Sequence, residues 1–77
     1  MIELEMREWV VLSFITHYIE CKEYAPYYRE IEVGCGIRSQ ATLYAIRKKL
    51  QEVGLVSWIK GAHNTLRVHK CAVMVVP

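Results

Sequence analysis

The sequence predicts one small domain that is mostly α-helical and carries a small β-hairpin. Two patterns indicate this fold class. Three segments have apolar residues at helical spacing and are separated by Pro or Gly turns, and two β-prone runs nearer the C-terminus flank a turn. The 77 residues suit a single domain, and a hydrophobic content of 53% favours a packed globule over a disordered chain.

The first helix is predicted from Glu5 to Cys21. Its core face is an apolar stripe with the period of a helix, formed by Val11, Leu12, Ile15, Tyr18 and Ile19. Val10 and Phe14 widen this stripe beyond what a three-helix core needs. We expect these two side chains to be either a second packing surface or ordinary exposed apolar residues.

The second helix is short and follows a break. The dipeptide Ala25-Pro26 interrupts the helical pattern, and the next helix is predicted from Tyr27 to about Gly34. Residues 34–37 then form a tight turn, in which Gly34 or Gly36 can adopt a positive φ. A glycine inside a helix costs about 1 kcal/mol relative to alanine, so Gly34 is an unusual residue at that point.

The third helix is predicted from Gln40 to Val53. Ser39 is a suitable N-cap, and Gly54 occupies the position that follows a helix C-terminus. The inward face is formed by Leu43, Ile46, Leu50 and Val53. The tight turn between the second and third helices is typical of a helix-turn-helix.

A hairpin is predicted from strands over residues 55–59 and 65–69, joined by a turn over residues 60–64. Three helices followed by a hairpin are the layout of a winged helix-turn-helix, with a two- or three-stranded wing. We expect this domain to span residues 1–70. Residues 71–77 are an apolar tail, which we expect to be a further strand, an interface formed by Val73 and Val75, or the stub of something removed.

Charge is separated along the chain. Up to Ile37 there are three basic and seven acidic residues, a net charge of −4, whereas from Arg38 onward seven basic residues and one acidic residue give +6. This separation indicates either a negatively charged partner facing the second half or a solvated basic surface with no partner.

The order and spacing of several residues resemble the N-terminal DNA-binding domain of the LexA repressor family, from about Leu4 to His69. The matching residues are Val11-Leu12, Ile15, Ile19, Pro26, Arg29-Glu30-Ile31, Gly36-Ile37-Arg38-Ser39, Leu50 and Gly54-Leu55-Val56. The resemblance implies a transcriptional repressor that places its third helix in the major groove of double-stranded DNA and its wing on the DNA backbone. Nothing in the sequence corresponds to the self-cleaving peptidase domain of that family, so we do not expect self-cleavage.

Local departures from the family pattern concern the second helix and the reading face. Tyr27 stands where a threonine commonly caps the second helix, and Glu32 stands where an alanine is usual. Ser39 matches the family, whereas Ala41, Tyr44 and Ala45 replace more polar residues. The resemblance therefore implies an operator different from that of LexA.

Candidate DNA-contacting residues lie on the third helix, before it and in the wing loop. The set is Arg38, Ser39, Gln40, Ala41, Tyr44, Arg47, Lys48, Lys60, His63 and Asn64. Gln40 can form two hydrogen bonds with adenine, and Ala41 can contact a thymine methyl group. Arg38 lies beside the positively polarised end of the helix, where a phosphate or guanine fits. Tyr28 can also donate to a phosphate.

No enzyme is expected, because the serines lack a histidine–carboxylate partner at a suitable spacing and the chain has no aspartate. Cys21, Cys35 and Cys71 lack the paired short spacing of a zinc site, so we expect no metal or other cofactor and a reducing, cytoplasmic location. No apolar run has the length of a membrane span. The alternative function is a protein-interaction module, or a homodimer, that uses Val10, Phe14 and the tail.

Overall fold

The computed structural model describes residues 2–59, 65–69 and 73–76. In chain order these residues form β1 (Ile2–Glu5), α1 (Met6–Lys22), α2 (Tyr28–Cys35), α3 (Gln40–Glu52), β2 (Val56–Ser57), β3 (Arg67–Val68) and β4 (Val73–Val76). The predicted fold class, three helices followed by a hairpin, is confirmed. Each helix begins or ends within about one residue of its predicted position, which is the usual uncertainty of a helix boundary.

Local hydrogen bonds explain where the helices begin. The backbone N–H of Glu5 donates to Oε1 of Glu8 over 2.9 Å, at the start of α1. At the start of α3, Oγ of Ser39 accepts from the backbone N–H of Thr42 over 3.3 Å, which confirms the predicted N-cap. These bonds satisfy N–H groups that have no partner within the first turn of a helix.

Glycine conformation explains where α2 and α3 end. Gly36 has φ of 69° and follows α2, and Gly54 has φ of 84° and follows α3. Both values are left-handed, a region that glycine enters without a Cβ clash. Of the two glycines in the predicted turn, Gly36 is therefore the one that adopts the positive φ, whereas Gly34 lies inside α2.

The core lies between β1, the three helices and the hairpin region that follows α3. Its buried apolar residues are Leu4, Val11, Leu12, Ile15, Ala25, Ile31, Leu43, Ile46, Leu50, Leu55, Val56 and Leu66. Leu43, Ile46 and Leu50 were all predicted to point inward from α3, and each is at most 2% exposed. The opposite face of α3 is consequently turned to solvent.

Two small sheets complete the fold. β2 and β3 pair antiparallel, with Val56 opposite Val68, and form the predicted hairpin in a shorter version. The predicted turn over residues 60–64 lies outside the described residues. β4 pairs in parallel with β1, which places Val73 opposite Ile2 and Val75 opposite Leu4. The end of the predicted tail is thus a further strand of the domain, the first of the three alternatives.

A close approach between α1 and α2 explains the unusual glycine of α2. A Cβ built on Gly34 would lie within 2.9 Å of three atoms of the Phe14 ring. Ordinary carbon contacts lie near 3.5–4.0 Å, so only a residue without a side chain leaves room for this ring. Phe14 is half-buried as a result, whereas Val10 on the same helix is 43% exposed.

Candidate nucleic-acid interface

The solvent-facing side of α3 carries the predicted reading residues. Gln40, Ala41, Tyr44 and Lys48 are all exposed, and Tyr44 is 57% exposed. Their positions follow from helix geometry, because Leu43, Ile46 and Leu50 occupy the face that packs on the core. We call this exposed side the α3 face; it consists of Gln40, Ala41, Tyr44, Ala45 and Lys48.

The α3 face has small residues at its centre and polar groups around them. Ala41 and Ala45 keep the side chains short, so a groove wall can approach the helix backbone closely. Gln40 lies at the first position of the helix and Lys48 two turns further on. The face therefore offers a surface for close approach, one amide capable of two hydrogen bonds and one cation.

The residues before α3 present a further cation and a capped helix end. Arg38 and Ser39 are exposed, as predicted. Since Oγ of Ser39 already accepts from Thr42, its hydroxyl hydrogen is the part that remains for an outside acceptor. Unpaired N–H groups and the helix dipole make this end attractive to an anion such as phosphate.

Arg47 does not lie where the sequence interpretation placed it. The residue is 3% exposed, and its guanidinium carbon is 3.9 Å from the centre of the Tyr28 ring and 4.2 Å from the centre of the Trp58 ring. A guanidinium enclosed between two rings is not free to contact a phosphate. Arg47 lies four residues after Leu43 and three before Leu50, so helical spacing already assigned it to the inward face. We therefore leave it out of the proposed DNA contacts.

The two lysines that follow Arg47 point in different directions. Lys49 directs Nζ toward Oε1 of Glu8, 4.0 Å away on α1, where the carboxylate is almost fully buried. Lys48 is exposed on the α3 face. Of this basic run, only Lys48 is placed for a phosphate contact.

The wing contributes an exposed arginine that the sequence interpretation missed. Arg67 lies in β3 opposite Ser57 and is exposed. The alternation of residues 65–69 could have identified it, because Arg67 falls between the two apolar positions Leu66 and Val68. The predicted contacts Lys60, His63 and Asn64 lie outside the described residues, so their positions stay predictions.

Side-chain hydrogen bonds hold the two sides of the hairpin together. Oγ of Ser57 lies 2.8 Å from Nε2 of His69, and the backbone N–H of Ile59 donates to Oγ1 of Thr65 over 2.9 Å. The second of these bonds lies beyond the short β2–β3 ladder, toward the loop. They extend the pairing of a hairpin whose strands have only two residues each.

In the part of the chain that the structure describes, no group of three or more His, Cys, Asp or Glu side chains is arranged to hold a metal ion. No helix in that part is long and apolar enough to cross a membrane.

Comparison with known proteins identifies the family. The family model for the LexA DNA binding domain matches residues 1–65. The chain belongs to the LexA DNA-binding domain family. It is thus a DNA-binding winged helix-turn-helix, which confirms the resemblance seen in the sequence. The LexA repressor of Moorella thermoacetica is 38% identical over 47 residues, which are 61% of this chain and 23% of that protein. The match thus covers less than a quarter of the relative's length.

Proposed function

We propose that this LexA-family domain is a transcriptional repressor that inserts the α3 face into the major groove of double-stranded DNA. The observation that carries the proposal is the exposure of the whole face on the helix that follows the tight turn, the position of a recognition helix. This role is that of a regulator rather than an enzyme, and it places the chain in the cytoplasm with its DNA.

The chemistry of the α3 face assigns a role to each residue. Gln40 forms two hydrogen bonds with an adenine edge, and Ala41 and Ala45 contact thymine methyl groups. Arg38 and Lys48 contact phosphates on either side of the groove, and Tyr44 adds a hydroxyl group. Because the centre of the face is apolar, we expect modest discrimination between bases by each copy of the domain.

The number of available cations sets the expected salt dependence. In the second half of the chain Arg47 is enclosed by two rings and Lys49 lies beside Glu8. This leaves Arg38, Lys48 and Arg67 among the described residues and Lys60 and Lys70 outside them. Five phosphate contacts at about −0.9 each give a limiting slope of about −4.5 for log K against log salt. Three contacts give about −2.7.

Fluorescence anisotropy with a labelled duplex, measured between about 50 and 200 mM salt, tests the proposal. Lys48→Ala should weaken binding to all sequences and make the salt slope shallower by about 1. Lys49→Ala is the matched control, since it removes the neighbouring lysine that lies beside Glu8, and it should leave the slope unchanged. No binding at low salt, or equal effects of the two substitutions, would refute the proposal.

Base reading is tested separately by Gln40→Ala. On a preferred duplex this substitution should cost about 1–3 kcal/mol of binding free energy, whereas on random DNA it should cost little. Equal losses on both duplexes would show that Gln40 does not read a base.

A second candidate function is self-association or protein binding through a shallow apolar groove between α1 and α2. Phe14, Tyr18, Tyr27, Val33 and Gly34 line this groove, and Val33 is 79% exposed. Val10 lies one turn before Phe14, whereas Val73 and Val75 are half-buried beside β1. Sedimentation of the wild-type chain and of Val33→Asp, with and without duplex, tests this role. A wild-type chain that stays monomeric on DNA excludes the homodimer.

A further inference from the structure

Three side chains from three elements form a stack that the proposed DNA contacts do not use. Tyr28 is the first residue of α2, Arg47 lies in the middle of α3, and Trp58 directly follows β2 in the wing. The Arg47 guanidinium lies between the two rings, 3.9 Å from the Tyr28 centre and 4.2 Å from the Trp58 centre. We call these three residues the arginine stack.

The burial of Arg47 needs compensation. A charged group that leaves water loses its hydration, and buried arginines are usually paired with a carboxylate. Within residues 2–59, 65–69 and 73–76, no ion pair to Arg47 is found and its Nε has no hydrogen-bond partner. The two ring faces, both within the roughly 6 Å range of a cation–π contact, are the attraction that remains.

The two rings differ in exposure, so one end of the stack is more enclosed by the domain than the other. Trp58 is half-buried, and Tyr28 is 54% exposed at the surface. The stack therefore runs from the wing, through α3, to the solvent-facing start of α2. It joins the wing and the start of α2 to α3, the helix that carries the α3 face.

We propose that the arginine stack is a positioning device that holds the wing and the start of α2 at fixed places relative to the α3 face. This inference rests on the proposed function. A domain whose wing is already in place loses less conformational freedom on binding, and this preorganisation appears as affinity without any contact to DNA. Arg47 is thus a positioning residue that sets DNA affinity through Tyr28 and Trp58.

Arg47→Lys tests the proposal because it keeps the charge and removes the flat guanidinium that stacks on rings. A compact ammonium cannot lie flat against both rings, so one of the two ring contacts is lost, and duplex affinity should fall by about tenfold, the effect of one cation–π contact of ordinary strength. The salt slope is compared in Arg47→Met, which removes the charge, and it should stay that of the wild type because Arg47 contacts no phosphate. A normal affinity of Arg47→Lys overturns the proposal, and a slope shallower by about 1 in Arg47→Met overturns it in favour of a phosphate contact.

Tyr28 supplies a pair of variants that separates the ring from the hydroxyl group. Tyr28→Ala should weaken binding as Arg47→Lys does, and Tyr28→Phe should bind like the wild type. Equal losses in the two variants would mean that the hydroxyl contacts DNA and that the ring does not position the wing. Because Tyr28 is half-exposed, both variants should fold, which keeps the test valid if Arg47→Lys unfolds.

Fluorescence of the free protein distinguishes failure of the stack from failure of the proposed function. In a Trp9→Phe background, Trp58 is the single tryptophan. Arg47→Lys should shift its emission to longer wavelength as the ring becomes more exposed to water, and an unchanged spectrum overturns the stack itself. If the wild type binds no duplex, the proposed function and the positioning role both fail, whatever the spectrum shows.

Discussion

The close contact between Gly34 and Phe14 predicts that Gly34→Ala destabilises the domain when Phe14 is present and stabilises it when Phe14 is replaced by alanine. Alanine is the better helix former by about 0.5–1 kcal/mol, so Gly34→Ala should stabilise an isolated α2. In the folded domain, however, the added Cβ would lie within 2.9 Å of three atoms of the Phe14 ring. The ring must move out of the groove, and overpacking of this kind costs about 1–3 kcal/mol.

The two effects together give a net destabilisation by Gly34→Ala of about 0–2.5 kcal/mol in the wild-type background. In a Phe14→Ala background the obstacle is gone, and the same substitution should stabilise the chain by about 0.5–1 kcal/mol. The coupling between the two sites is therefore about 1–3 kcal/mol, as expected for residues in contact.

Urea unfolding followed by circular dichroism measures all four chains of this double-mutant cycle. Gly34 has no positive φ, so backbone strain does not complicate the comparison. The reasoning is refuted if Gly34→Ala stabilises the wild type. It is also refuted if the substitution destabilises the Phe14→Ala chain, because the cost would then come from the backbone rather than from the ring.

Three further predictions concern the N-cap of α3, the sheet formed by β1 and β4, and a tyrosine of α1. In urea unfolding, Ser39→Ala should lower the free energy of unfolding by about 1 kcal/mol, because the N-cap hydrogen bond is lost. Ser39→Asp should not lower it, because aspartate is also a good N-cap residue. Leu4→Ala should cost about 2–5 kcal/mol because Leu4 is 1% exposed; a neutral result would mean that β1 does not pack on the core. The hydrogen bond to the Glu30 carboxylate raises the pKa of Tyr18 above 10.0. The stability that this bond contributes is present below pH 10.0 and is lost as the pH rises toward the raised pKa. The free energy of unfolding should therefore fall less at alkaline pH in Tyr18→Phe than in the wild type.

Much of the fold follows from local rules. The N-cap at Ser39, the left-handed Gly54 and the inward residues of α3 are each determined by neighbours within about one turn, and the structure confirms them. The fold class follows because three such helices and a hairpin have few compact arrangements.

Features that depend on distant partners were missed. The parallel pairing of β1 with β4 joins residues about 70 positions apart, and no local signal in Ile2–Glu5 specifies that partner. Gly34 is unfavourable by helix propensity alone, since the reason for it lies on α1.

The error at Arg47 has a different origin. Residue type suggested a phosphate contact, whereas helical spacing placed the residue between Leu43 and Leu50 on the inward face. The spacing was the better guide, but the two rings that make burial tolerable come from α2 and from the wing. A charged residue at an inward position is thus a reason to search other elements for aromatic partners.

The central claim, that duplex DNA lies on the α3 face, is tested most directly by amide chemical shifts in NMR spectra of the 9.0 kDa domain. The duplex is one enriched from a random pool by the domain itself. We expect the largest shift changes from Arg38 to Lys48, with smaller changes in β3 near Arg67 and little change at Val33. Changes confined to the groove between α1 and α2, or no changes at all, would contradict the account.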